Sequence, residues 1–294
     1  MLLGGWDCVR GIRSDLNISD DPEILVWQDD LGQLSVSRPD VRVPDLYRLR
    51  LTGQIAVDLF CADRVMHEFP ITPDLPQTTL DHFLTDQVLP RVLAHEGNLV
   101  VHAGACRCDD RAFIVMGESG RGKSTLVASL DFAGFPLLGD DALVVHWERH
   151  LPLVKAVYPS LRLLPDSLDA LFSEPPETTQ VAHYSPKQRI SVPVESDLDV
   201  EPLPIAAIFS LSLPSLNQDI VVRKMSPAET CMALITNSFA LDPTDKALGR
   251  KKLEDASRLA NAVPSFELTY PRDYARLPDV HAAICRQVSQ LANA

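Results

Sequence analysis

No apolar run in the 294-residue chain approaches the roughly 18 residues that a membrane-spanning helix needs. The opening stretch, MLLGGWDCVRGIRSD, has neither a long apolar core nor a small-residue cleavage site, so no secretory signal is read. Positive charge is scarce: 27 Lys and Arg stand against 40 Asp and Glu, a formal net charge of −13. Wrapping nucleic acid takes clustered Lys and Arg, so neither nucleic acid nor a membrane is expected as a partner. Cysteine is sparse too. Cys8, Cys61, Cys106, Cys108, Cys231 and Cys285 are scattered, and Cys106-x-Cys108 lacks the C-x₂-C spacing of a zinc site. Reduced thiols in a cytoplasmic protein are expected. There is no internal repeat and no low-complexity tract.

What is present is a core. Apolar residues make up 46% of the chain, enough for one large or two ordinary domains. Residues 117–125 read Gly-Glu-Ser-Gly-Arg-Gly-Lys-Ser-Thr, a complete phosphate-binding loop of the form G-x-x-x-x-G-K-S/T. Ala112 to Met116 before it is short and apolar, as a buried strand should be, and Leu126 to Phe132 after it can open a helix. In such a loop, backbone N–H groups and the helix N-terminus face the phosphates. Gly117, Glu118, Ser119, Gly120, Arg121, Gly122, Lys123, Ser124 and Thr125 are thus the candidate nucleotide contacts. Lys123 would reach the β- and γ-phosphates and the Ser124 hydroxyl would ligate Mg²⁺.

Around this loop the pattern divides the chain. Residues 1–75 carry short alternating runs, Glu23–Trp27, Leu34–Val36, Tyr47–Leu51 and Gln54–Leu59, which predict strands and a small β-rich region. Residues 76–97 read as a helical connector that Pro90 kinks or splits. Residues 98–294 read as the catalytic domain. Its expected strands are Leu99–Ala103, Ala112–Met116, Ala142–Trp147, Ile205–Leu213 and Ile220–Arg223. Its expected closing helices are Pro227–Phe239, Thr244–Ala262 and Pro278–Ala294. Pro175–Thr179 and Pro193–Pro204 look most loop-like.

Two further elements bear on chemistry. Leu138-Gly139-Asp140-Asp141 stands seventeen residues past Lys123, where one carboxylate can face a metal and the other an attacking hydroxyl. His102, in Val100-Val101-His102-Ala103-Gly104, ends a strand expected beside the phosphate-loop strand. Arg162, Lys187, Arg189 and the Arg250-Lys251-Lys252 run are candidate cations for the developing charge. Apolar flanks favour Arg162 and Arg189, and the 250–252 run reads as an exposed helix face.

The order V-H-A-G, strand, GESGRGKST, a helix ending in A-G-F, then L-L-G-D-D-A-L resembles the catalytic domain of HPr kinase/phosphorylase over Leu99–Val145. That resemblance implies an α/β fold: a P-loop kinase core of HPr kinase type, a mixed sheet with flanking helices. It places His102 in the active site, Asp140 on the metal side and Asp141 as general base. Tyr158-Pro159-Ser160-Leu161-Arg162-Leu163 has no Glu where that family carries one, and the N-terminal region is different. The whole-chain plan is similar to HPr-kinase-like proteins of peptide-maturation clusters, including kinases of lasso-peptide precursors. These share the helix-P-R-V-L-A approach to V-H-A-G and the Y-P-S-L-R-L-L-P-D stretch. The resemblance implies an ATP- and Mg-dependent kinase acting on a serine hydroxyl of a peptide or protein, the C-terminal Ser of a lasso-peptide precursor. Two alternatives stay open, a nucleotide-binding regulatory module and a small-molecule kinase on the same fold. The oligomeric state is open as well, a homo-oligomer included. Because every phosphate-handling element lies after residue 98, residues 1–75 are expected to help recognise the acceptor.

Overall fold

The computed structural model describes residues 5–10, 23–29, 32–40, 42–51, 53–72, 74–158, 160–183, 185–190, 201–215 and 219–292. Most of the expected Pro193–Pro204 loop, and Pro159, lie outside them. The chain forms two compact units, one of Met1–Glu96, Gln180–Pro186 and Ala240–Gly249, the other of Gly97–Thr179, Lys187–Phe239 and Arg250–Ala294.

In the first unit the alternating runs become strands. They are β1 (Asp7–Arg10), β2 (Glu23–Asp29), β3 (Gly32–Ser37), β4 (Leu46–Leu51), β5 (Ile55–Phe60) and β6 (Val65–Pro70). Together they form one sheet in the order β1-β6-β5-β4-β3-β2. β2 to β6 are a successive antiparallel meander, and β1 lies parallel to β6. Val36, Leu49 and Val57 stand in register on one face and are fully buried, the period-two pattern that fixes register. The other face is polar yet also buried. Arg48 stands opposite Asp58 and grips it through Nε (2.5 Å) and a terminal nitrogen (2.7 Å). The helical run follows as α1 (Gln77–His82), a π-helical stretch Phe83–Val88, and α2 (Leu89–His95). Two short α-helices form, joined by the π-helical stretch: the backbone stays helical through Val88 into α2, and the wide π turn just before Pro90 accommodates the N–H that proline lacks.

The second unit is a nine-stranded mixed sheet with helices against it, plus a small ribbon. Its elements in order are β7 (Leu99–Val101), β8 (Ala103–Cys108), β9 (Arg111–Met116), α3 (Lys123–Phe132), β10 (Leu137–Gly139), β11 (Leu143–Glu148) and β12 (Leu151–Ala156). Next come β13 (Leu161–Leu163), α4 (Pro165–Leu171), β14 (Thr178–Gln180), β15 (Gln188–Ile190), β16 (Leu203–Leu211) and β17 (Val221–Lys224). The chain ends with α5 (Pro227–Thr236), α6 (Lys246–Ala262), β18 (Ser265–Thr269) and α7 (Leu277–Ala292). The sheet runs β10-β8-β9-β16-β12-β11-β7, with β18 also on β16 and β17 on β18. β9, β16 and β18 are parallel, and β9 and β16 read as near-continuous apolar runs because both faces are covered. Phe113, Val115, Phe209 and Phe266 pack with Leu126 and Leu130 of α3 and Ile284 of α7. Ile114, Met116 and Ile208 pack the other way, with Leu234 of α5 and Leu259 of α6. Each such buried side chain contributes about 1.5–3 kcal/mol.

Two expectations need correction. The strand ending at His102 is not beside the phosphate-loop strand: β7 pairs with β11, and β9 lies between β8 and β16. The chain leaves one edge at His102 and resumes in β8, so Leu99–Ala103 is two strands. β18 was missed, and it stands between the strands formed in the expected Ile205–Leu213 and Ile220–Arg223 segments: its five residues, Ser265–Thr269, alternate polar and apolar, but the run is short and follows directly on a long helix. Among the described residues no helix is long and apolar enough to cross a membrane, and no disulfide joins any of the six cysteines.

Candidate active site

β9 delivers the chain at Met116 into the glycine loop, and α3 begins at Lys123. Lys123 is 6% exposed. Its Nζ donates to the carbonyl oxygens of Gly117 (2.8 Å) and Glu118 (3.2 Å). Burial pushes its pKa down, and the nearby carboxylates of Asp140 and Asp141 resist that push. A buried ammonium held only by neutral carbonyls is a cation short of an anion.

The Asp pair follows β10, the edge strand next to β8. Asp140 is fully buried, and neither carboxylate oxygen has a hydrogen bond of good geometry. Burial and the neighbouring Asp141 push its pKa up to about 7; the adjacent Ser124 side chain only partly opposes this. Gly104 makes the approach possible. A Cβ there would stand 2.8 Å from Val127 Cγ1 and 3.0 Å from Asp140 Oδ1. The glycine of V-H-A-G therefore lets α3 and Asp140 close on β8 together.

Asp141 is held in the opposite sense. Its φ of +72° is left-handed, a conformation uncommon outside glycine and concentrated at functional sites. Arg162 of β13 donates to Oδ2 from Nε at 2.7 Å and also from a terminal nitrogen. His102 Nε2 lies 3.5 Å from Oδ1. Burial alone would raise this carboxyl, but the Arg162 charge and the His102 contact outweigh it and hold the pKa well below the usual range. The His102 backbone N–H is fixed on the Asn237 carbonyl at 2.6 Å, and its ring leans on Phe239. Burial lowers the pKa of the imidazole despite Asp141, and the side chain remains 38% exposed.

His102, Asp141 and Arg162 therefore meet directly, with Asp140, Ser124 and Lys123 beside them. Other expected residues sit elsewhere. Arg189 is directly across the ribbon from Arg162, which places both on one face. Arg121 is ion-paired to Glu118, and Ser119 is exposed. The Thr125 hydroxyl bonds Ser167 Oγ of α4 at 3.0 Å. Lys251 is paired with Asp255 at 2.6 Å on an exposed face of α6. A cavity of about 230 Å³ is lined by Gly117, Glu118, Arg121, Leu211, Thr236 and Asn237 among others.

Sequence reasoning missed the segment after β18. Arg272 donates to the Gly120 carbonyl, and Tyr270 lies against Gly122. They are some 150 residues from the loop in sequence, with no local signal beyond an Arg and a Pro in a turn.

Asp140 and Ser124 fit a small hard cation. An orphaned buried carboxylate is what a divalent ion would satisfy, and Mg²⁺ takes only one or two protein ligands alongside phosphate oxygens. Among the described residues no group of three or more His, Cys, Asp and Glu could hold a metal alone.

Strand, glycine loop and helix with this sequence define a candidate phosphate-binding site of the P-loop class. No family model matches the chain and no curated protein matches it. Among solved structures it is similar to the HPr(Ser) kinase/phosphatase from Coxiella burnetii, at 14% identity and a TM-score of 0.35, over 66% of this chain and 98% of that one.

Proposed function

We propose that the chain is an ATP- and Mg-dependent kinase that transfers the γ-phosphoryl group to a serine hydroxyl of a peptide, in particular the C-terminal Ser of a lasso-peptide precursor. The observation that carries this reading is the Asp140–Asp141 pair beside Lys123: Asp140 is fully buried with neither carboxylate oxygen hydrogen-bonded, while Asp141 is held by Arg162 and faces His102. Two chemically identical groups in such different surroundings can do different work.

The loop amides and Lys123 bind the phosphate chain and orient the γ-phosphorus. Asp141, ionised and held by Arg162 and His102, accepts the proton of the incoming hydroxyl as the serine oxygen bonds phosphorus and the bond to the β-phosphate oxygen breaks. Arg162 stands within reach of the transferring group as well as of Asp141, and Arg189 adds charge from the same face. Mg²⁺, held by Ser124 and Asp140 when bound, supplies neutralisation of charge on the β- and γ-phosphates. The peptide reading draws on the Y-P-S-L-R-L-L-P-D stretch, which contains Arg162 and ends in the first residues of α4. Residues 1–75 are assigned to acceptor recognition: a sheet with edges at β1 and β2 can take an extended peptide.

The test is γ-labelled ATP with Mg²⁺, incubated with a peptide ending in Ser, the same peptide ending in Ala, and no peptide. Label on the Ser peptide alone supports the kinase. Phosphate released equally in all three tubes identifies an NTPase, and label on neither peptide nor water leaves a binding module.

A further inference from the structure

The phosphate-binding loop has a built-in weakness. Gly120 and Gly122 both lie in the left-handed region, at φ +77° and +90°. Turning over the peptide between Gly120 and Arg121 changes ψ of Gly120 and φ of Arg121, so on the Gly120 side no side chain resists it. Its orientation matters. The Arg121 N–H donates to the Glu118 carbonyl at 3.3 Å, the same oxygen that Lys123 Nζ reaches at 3.2 Å. Two donors converging on one oxygen both face the inside of the loop, where a phosphate oxygen would replace that carbonyl.

The N–H and C=O of a trans peptide point in opposite directions. The Gly120 carbonyl accordingly faces outward, and Arg272 donates to it there. Arg272 is itself held in place. Tyr270, two residues earlier, has its hydroxyl 3.4 Å from where a Cβ on Gly122 would stand. Asp273 accepts the Ala275 N–H at 2.9 Å, closing the turn. Tyr274 shares a hydrogen bond with Ser167 at 3.1 Å, and Ser167 shares one with Thr125 of the loop's own helix at 3.0 Å. The segment 270–274 thus touches the loop's apex, its last glycine and, through Ser167, the first turn of α3.

We infer that Arg272 is a positioning residue: by holding the Gly120 carbonyl outward it keeps the Arg121 amide aimed at bound phosphate. It acts through the loop backbone and touches no substrate. This rests on the nucleotide reading above, and the test separates the two.

Mant-ADP is titrated into the full chain, and hydrogen exchange is followed in the peptide covering 118–122 without nucleotide. Arg272→Ala should weaken binding by about tenfold to a hundredfold, the worth of one hydrogen bond to a charged group. Exchange at the loop should quicken while Tm stays at the wild-type value. Arg272→Lys keeps a donor and should retain most of the affinity. Wild-type affinity in Arg272→Ala overturns the inference, and so does a loss matched by a fall in Tm or one that Arg272→Lys shares in full. Lys123→Ala runs in parallel. If it also binds mant-ADP like wild type, the nucleotide reading fails. If it loses binding while Arg272→Ala does not, only the latch fails.

Discussion

Each unit of this chain contains an Arg–Asp pair joined by two donor nitrogens, gripping both oxygens of Asp58 but only Oδ2 of Asp141, and the two are used in opposite ways. Arg48 and Asp58 lie across from one another in neighbouring strands and are 0% and 2% exposed. There, burial outweighs the arginine and the Asp58 pKa is raised. Arg162 and Asp141 are 10% and 15% exposed, and Asp141 sits in a left-handed turn rather than a strand. Burial pushes Asp141 up as well, but Arg162 and His102 win and the carboxyl is lowered. The same two side chains make a closed pair in one place and a poised anion in the other. What differs is the surroundings: Asp141 has a buried carboxylate without a hydrogen bond, a buried lysine and a partly exposed histidine beside it.

The sharpest way to break the comparison is to neutralise both aspartates. On the mechanism proposed above, in which the lost oxygen is the proton acceptor, Asp141→Asn should cut transfer by about 10³-fold or more while nucleotide affinity barely changes. Asp58→Asn should do the reverse. It leaves Arg48 buried without its counter-charge, a destabilisation of about 3–5 kcal/mol by urea unfolding, with normal turnover in whatever remains folded. If Asp141→Asn unfolds the protein while Asp58→Asn only slows it, the two pairs have been assigned the wrong way round. Lys123→Ala comes next. It removes the cation from the phosphate site and should lower kcat/KM by about 10²-fold, with little effect on stability because its partners are solvatable loop carbonyls. Smaller again is Gly104→Ala, where overpacking against Val127 and Asp140 should cost about 1–3 kcal/mol and raise the Mg²⁺ concentration needed for half-maximal activity. An unchanged Mg²⁺ dependence would show that Asp140 tolerates displacement.

What could be read in the sequence follows from the range of the interactions. The glycine loop, its strand and its helix are one contiguous local pattern, and so are the strands β2 to β5 with their alternation. Asp140-Asp141 could be singled out because spacing from a known loop constrains it. Arg162 could be named but not placed, since its partner lies 21 residues away and the short β13–β15 ribbon that aims it has only three residues per strand. The Arg48–Asp58 pair was invisible: an Arg and an Asp in alternating strands look like solvent-facing positions until the second face is found buried. The misplacement of His102 has the same cause. A run of five apolar-rich residues, Leu99–Ala103, reads as one strand, and only sheet order reveals that its two halves lie on different partners. Arg272 was beyond reach because a turn residue bonding a distant carbonyl leaves no periodicity behind.

The smallest expected effect concerns Asp140, the third member of the comparison. It is a buried carboxylate with no arginine. Its folded pKa, about 7, is above the unfolded value, so the folded state binds the proton more tightly. Its contribution is therefore full below about pH 4, where both states are protonated, and is lost progressively as pH rises to about 7. Asp140→Asn removes that liability. Without metal or nucleotide, the variant should match wild type in Tm near pH 4 and exceed it by a few degrees at pH 8, with the gap opening between those values. This is a trade of stability for function of the kind active sites carry. Mg²⁺ with ADP should raise the Tm of wild type at pH 8 and close the gap, and should raise that of Asp140→Asn much less. A gap that is constant across pH would mean that Asp140 is not the group that titrates. A gap that Mg²⁺ with ADP leaves open would remove Asp140 from the metal site while leaving Asp141 and Lys123 untouched.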